Sequence, residues 1–191
     1  MYKKGVIVGP FDFVTRTHED LFFYAAERCQ EVVMCVVASY DDIPDLGMRM
    51  QLVRKTFPTL NHCFSVTPIT EAQFEPPDTP ESRLSQYGRY LRTYRERPRN
   101  IMNGVGCLFT TEEDDILIAK GMRVDCHVMT DVRGGVSNHL IREEIFRAGS
   151  LPAMQKYHHL LHPETVKLYG SADITNTRRT YVYAGTEDDY Y

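Results

Sequence analysis

The chain has 191 residues, of which 42% are hydrophobic, and a formal net charge of −4. That length fits one domain with a real core and at most a small appendage, and the acidic balance argues against a dedicated nucleic-acid binder. There is no run of about 18 apolar residues and no secretory h-region, so we expect a cytoplasmic protein that neither spans a membrane nor is exported.

A β-branched run near 4–9 predicts the first strand, and the pattern HEDLFFYAAERC predicts a helix over 17–29. Residues 31–39 (EVVMCVVAS) are continuously apolar, as in a strand buried on both faces. A loop with Pro44 leads to helical spacing over 48–57, stopped by Pro58. A third strand follows at 62–67, then an irregular stretch with Pro76, Pro77 and Pro80, then a helix over 81–97 ended by Pro98. That helix and its exit carry Arg83, Arg89, Arg92, Arg95, Arg97 and Arg99. They read as a solvated face, with a positive rim beside an anionic substrate as the alternative.

The fourth strand is predicted at 105–110. After it comes a helix over 112–120 that Thr111 would cap and Gly121 would close. A fifth strand at 123–129 leads to Gly134-Gly135 and a helix from Ser137 through Arg147, then shorter helices near 151–160 and 163–169. TRRTYVYAG in the tail could pair as an edge strand. Cys29, Cys35, Cys63, Cys107 and Cys126 have no C-x-x-C spacing and read as reduced thiols. His158 and His162, four apart, read as a solvated helix rather than a metal site, and we expect no protein-held metal.

Alternating strands and helices predict an α/β fold: a Rossmann-like, doubly wound, parallel five-stranded sheet with a small helical C-terminal part. We place the α/β domain at 1–150 and a helical appendage with its tail at 151–191. In such sheets ligands sit at the carboxyl ends of the strands. Three informative segments fall there: Gly9–His18, Thr110–Glu113 and Gly134–Arg142. The first delivers Thr15 and His18 to the start of a helix, where N–H groups and a positive dipole favour an anion. The last offers Ser137 and, five residues on, Arg142 to the same anion.

Gly9, Phe11, Asp12, Thr15 and His18 resemble the G-x-F-D-P-x-[HT]-x-G-H signature of the HIGH-type nucleotidyltransferases, with Phe13 for Pro and Thr17 for Gly. Ser137, Ile141 and Arg142 resemble the second signature, S-x-x-x-I-R, with His139 where a Thr is common. Thr110-Thr111-Glu112-Glu113, the run from Arg142 to Arg147, and Arg49 at the opening of the second helix narrow the resemblance. They are similar to the NMN adenylyltransferase domain of bacterial bifunctional NAD-synthesis regulators, over roughly residues 3–170. No Walker A sequence follows, so a ribosylnicotinamide kinase is not expected.

The resemblance implies joining of NMN and ATP to give NAD and pyrophosphate, by in-line attack on the α-phosphate. It implies that His18 donates to the reacting phosphates, that Thr15 assists, and that Ser137 and Arg142 hold the β- and γ-phosphates. Arg49 would add positive charge, and Gly9, Phe11, Asp12, Thr111, Glu112 and Ile141 would complete the nucleotide site. Mg²⁺ would arrive with ATP, and the partners would be ATP and a small mononucleotide phosphate. Many relatives assemble, so a homo-oligomer stays open. The chain has no Trp to stack a nicotinamide ring, and Tyr87 or Tyr90 would have to substitute. Other acceptors therefore stay open: nicotinate mononucleotide, phosphopantetheine or a polyol phosphate. So does a non-catalytic nucleotide-binding or structural descendant, if Phe13 and Thr17 close the site.

Overall fold

The computed structural model describes residues 1–37, 46–60, 62–66, 80–138, 140–141, 143–144 and 150–171. The tail strand, His139 and Arg142 lie outside the described residues. Strands β1 (Tyr2–Gly9), β2 (Cys29–Val37), β3 (His62–Val66), β4 (Val105–Thr110) and β5 (Asp125–Val128) form one sheet. Its order is β3-β2-β1-β4-β5, and every neighbouring pair is parallel. This is the expected doubly wound fold, with the topological switch between β1 and β4.

Helices α1 (Arg16–Ala26) and α2 (Leu46–Thr56) cover one face, and α3 (Pro80–Glu96) and α4 (Ile116–Met122) cover the other. Ile7, Met34 and Val36 pack with Leu21, Phe22 and Ala25 of α1 and with Leu52 and Val53 of α2. Their neighbours Val6, Val33 and Cys35 join Leu84, Tyr87, Leu91, Ile118 and Met122 on the opposite face. Successive strand residues thus enter different cores, which is why these strands read as unbroken apolar runs. All five cysteines are free thiols.

The helix after β4 departs from expectation. A 3-10 turn at Glu113–Asp115 precedes α4, and the left-handed cap is Arg123, at φ 59°. Gly121 lies inside α4, where a Cβ would stand 2.3 Å from the Ser85 carbonyl oxygen of α3. The glycine serves a helix contact, not a helix end. The start of this segment is held by Thr110, whose hydroxyl accepts the Glu112 N–H at 3.0 Å and donates to Asp115 at 2.5 Å.

Because α3 runs back from the carboxyl end of β3 to the start of β4, Arg95, Arg97 and Arg99 lie toward the edge away from the strand carboxyl ends. Arg95 donates to the Val105 carbonyl at 2.6 Å, and Arg97 covers the Tyr94 ring at 4.9 Å. Arg95 and Arg97 thus make their contacts at this end, away from the strand carboxyl ends.

Two further helices, α5 (Ser150–Tyr157) and α6 (Pro163–Ser171), follow the sheet. They build a third core, in which Phe13 and Ile141 meet Met154, Tyr157, Leu160 and Leu161.

Candidate functional site

The site starts where β1 stops. The chain leaves Gly9 and passes through Phe11, whose φ of 49° is left-handed. Its side chain is 2% exposed, and its ring lies 5.3 Å from the His18 ring. Asp12 is buried against Arg49 at 3.3 Å. The same guanidinium nitrogen donates to the carbonyls of Pro10 at 2.6 Å and Val37 at 3.0 Å. Arg49, 1% exposed, therefore ties the turn to α2 and to the end of β2.

Thr15 is the N-cap of α1 and forms a reciprocal box with His18. The Thr15 hydroxyl accepts the His18 N–H at 3.3 Å, and the Thr15 N–H donates to His18 Nδ1 at 3.0 Å. The return partner of such a box is ordinarily Glu or Gln. An imidazole there has a chemical consequence. Nδ1 is spent as an acceptor, so the neutral ring carries its proton on Nε2. The ring is half-buried, and loss of water around it lowers its pKa from 6.5 to about 4. At neutral pH His18 is an uncharged, oriented N–H donor.

NMR titration should therefore show the neutral Nε2–H tautomer at pH 7 and a midpoint near 4; an ordinary midpoint near 6.5 would remove this description of the ring. Because the folded pKa is the lower one, the unfolded chain takes up the proton first as pH falls. The stability this group lends is complete above about 6.5 and is lost as pH drops toward about 4.

The second segment approaches from β5. Gly134 and Gly135 are left-handed at φ 70° and 64° and turn the chain into Ser137. The Ser137 hydroxyl accepts the Leu140 N–H at 3.2 Å, as a cap for the described helical residues 138, 140–141 and 143–144. Ile141 is buried against Phe13 in the third core. The Thr15 hydroxyl joins the two segments by donating to Asn138 Oδ1 at 2.6 Å, and Arg133 also pairs with Asp20 of α1. The third segment closes the same sheet edge, where Met129 N–H donates to the Thr110 carbonyl at 2.8 Å. Thr111 donates to Glu112 at 3.2 Å. Burial, with Glu112 and Asp114 near, raises the Asp115 pKa to about 6 against the opposing Thr110 bond.

A clamp from the C-terminal helices holds the turn. Thr165, fully buried, accepts the Val14 N–H at 2.9 Å and donates to the Val14 carbonyl at 2.8 Å. Arg16 N–H donates to Leu160 at 2.7 Å, His162 N–H to Val14 at 2.9 Å, and Tyr169 O–H to the Asp12 carbonyl at 2.5 Å. Residues 157–169 are thus built into the turn.

Of the residues singled out in the sequence, the structure brings Gly9, Thr15, His18 and Ser137 to one sheet edge, with Thr111 and Glu112 at the end of β4. Phe11, Asp12, Arg49 and Ile141 lie beneath that edge as buried supports. Thr17 and Phe13 are also buried, at 3% and 4% exposure. Tyr87 is 1% exposed inside a core, and the Tyr90 hydroxyl bonds that of Tyr94 at 2.8 Å. Sequence reasoning missed Asn138, Thr165 and Tyr169. Asn138 sits at an unspecified position of its motif, and the other two belong to no motif. Among the described residues no group of three or more His, Cys, Asp or Glu could hold a metal.

No family model and no curated protein sequence matches the chain. Solved structures do. A bifunctional NMN adenylyltransferase/ADP ribose pyrophosphatase from Francisella tularensis, complexed with AMP and a manganese ion, is similar at a TM-score of 0.56 and 11% identity. The match covers 93% of this chain and 52% of that one. A second structure of such a protein from the same organism gives 0.53 and 11%, covering 78% and 43%. The chain spans about half the length of these proteins. At this identity the likeness is one of fold, and the fold is nucleotidyltransferase-like.

Proposed function

We propose that the chain is a nucleotidyltransferase that joins NMN and ATP to give NAD and pyrophosphate. The observation that carries this reading is His18. A neutral imidazole, fixed by a capping box at the carboxyl edge of the sheet, has Nε2–H as its remaining donor. Such a donor suits a reaction in which phosphate oxygens gain charge. A 5′-phosphate oxygen of NMN attacks the α-phosphorus of ATP, the bond from that phosphorus to the β-phosphate bridging oxygen breaks, and pyrophosphate leaves. No covalent enzyme intermediate is needed, so the chain contributes positioning and charge stabilisation.

His18 donates to the α-phosphate oxygens. Thr15, whose hydroxyl is engaged by Asn138, holds His18 in place. The Ser137 hydroxyl keeps its proton for the β- or γ-phosphate, since in the cap it accepts the Leu140 N–H. Arg142 completes the triphosphate contact on the strength of its motif. Arg49 acts through the turn it secures, not on phosphate directly. Mg²⁺ would be held chiefly by the triphosphate's own oxygens and would offset their charge. The AMP and manganese ion bound by the Francisella protein of similar fold support nucleotide and divalent-ion use.

The test is pyrophosphate release from Mg-ATP with NMN, nicotinate mononucleotide, phosphopantetheine and a polyol phosphate, each in turn, with CTP as the alternative nucleotide. Release with ATP and NMN is the expected result. Release with another acceptor alone would move the assignment to that acceptor, and release with none would end it.

A further inference from the structure

We propose that Thr165 is a positioning residue for the reaction, setting through a single peptide group both the direction and the tautomer of the His18 donor. The inference rests on the reading of His18 given above. Thr165 belongs to α6, outside either signature, and it acts through the backbone of the turn rather than on substrate.

The link is short and rigid. The Val14 carbonyl and the Thr15 N–H are the two ends of one planar peptide group, and they point in opposite directions. At one end the carbonyl accepts the Thr165 hydroxyl at 2.8 Å and the His162 N–H at 2.9 Å. At the other end the N–H donates to His18 Nδ1 at 3.0 Å. Thr165 is fully buried, and its oxygen also accepts the Val14 N–H at 2.9 Å. One hydroxyl thus holds the peptide groups on both sides of Val14. The backbone there forms an antiparallel bridge between Thr15 and Leu161, with the Arg16 N–H donating to the Leu160 carbonyl at 2.7 Å. In such a bridge the flanking residues make the cross-chain bonds, and the middle residue turns its N–H the other way. Thr15 therefore keeps its N–H for His18. A carbonyl that accepts twice also polarises its peptide and makes that N–H a stronger donor. A stronger bond on Nδ1 keeps the ring proton on Nε2, the atom the reaction uses.

Thr165→Val removes the hydroxyl and keeps the shape, whereas Thr165→Ser keeps the hydroxyl. Nitrogen NMR at pH 7 reads the His18 tautomer and the coupling across the Thr15 N–H to Nδ1 bond. Pyrophosphate release from Mg-ATP with NMN, and calorimetry with a non-hydrolysable ATP analogue, read the function. In Thr165→Val the coupling should weaken and an Nδ1–H population should appear. Its kcat should fall on the order of tenfold, the share of one neutral hydrogen bond. Analogue affinity should stay within a few fold, because the residue is buried and acts on His18 alone. Thr165→Ser should restore coupling, tautomer and kcat together. A merely structural Thr165 would lower the melting temperature of the valine variant and leave the tautomer and kcat of the folded protein as in wild type. That result overturns the inference and leaves the proposed function standing. Should the valine variant not fold, Thr165→Cys decides, since a thiol in that place is only a weak donor: wild-type coupling and kcat in it overturn the inference. A wild-type protein that releases no pyrophosphate with any acceptor overturns both.

Discussion

His18→Ala should slow pyrophosphate release by about a hundred- to a thousandfold while leaving Mg-ATP affinity within a few fold. Removing one preorganised donor aimed at developing charge costs roughly 3–4 kcal/mol of barrier. The loss falls on turnover because the donor strengthens as charge gathers on the phosphate oxygens. The alanine also removes the acceptor for the Thr15 N–H at 3.0 Å, so the start of α1 loses about 0.5–2 kcal/mol of capping stability. His18→Gln isolates the chemistry. Glutamine is a natural return partner in a capping box, so this variant should melt like the wild type. With its oxygen accepting the Thr15 N–H, its amide N–H groups sit on a freer side chain than the imidazole and are not held at the Nε2 position, so its turnover should fall, though less far than that of the alanine. Wild-type pyrophosphate release from either variant would remove His18 from the reaction.

The fold was legible because each buried strand is a compact apolar run and each helix carries its own face and stop. Val32 to Val36 announce a strand covered on both sides, and Pro58 and Pro98 mark where helices have ended. The first site segment was legible for a related reason. A Thr followed by His at the third helical position is a local device, and local devices leave local patterns. What the sequence concealed are contacts between distant segments. Arg49 looked like phosphate chemistry, yet it is buried beneath the turn, joined to Pro10, Asp12 and Val37. Phe11 and Asp12 match a binding signature, and their side chains face inward. Thr165 and Tyr169 grip the turn from more than 150 residues away, and no periodicity reports such a grip. Gly121 shows how a correct rule can be applied at the wrong place. A glycine near the end of a helical pattern usually caps it, but here a non-glycine, Arg123, takes the left-handed position.

That glycine carries the largest expected change in stability. A Cβ on Gly121 would stand 2.3 Å from the Ser85 carbonyl oxygen, and one on Gly88 would stand 2.1 Å from that of Ile118. Both obstacles are backbone, so no side chain can swing aside. The helices α3 and α4 would have to separate, and between them lie Leu84, Leu91, Ile118 and Met122, all buried on one face of the sheet. Overpacking of this kind costs about 1–3 kcal/mol and at times more; the roughly 1 kcal/mol gained in helix propensity offsets only part. We expect Gly88→Ala and Gly121→Ala each to lose about 2 kcal/mol net, or ~6 °C in melting temperature for a chain of this size. Gly106→Ala is the comparison, since its Cβ would meet only the Tyr2 side chain at 3.3 Å, and it should melt within a degree or two of wild type. The double variant is the sharper test. Once one methyl has pushed the helices apart, the second finds the space partly open, so the two losses should sum to more than the double loses. Strict additivity, or wild-type melting in either single variant, would mean that α3 and α4 do not touch backbone to backbone at Gly88 and Gly121.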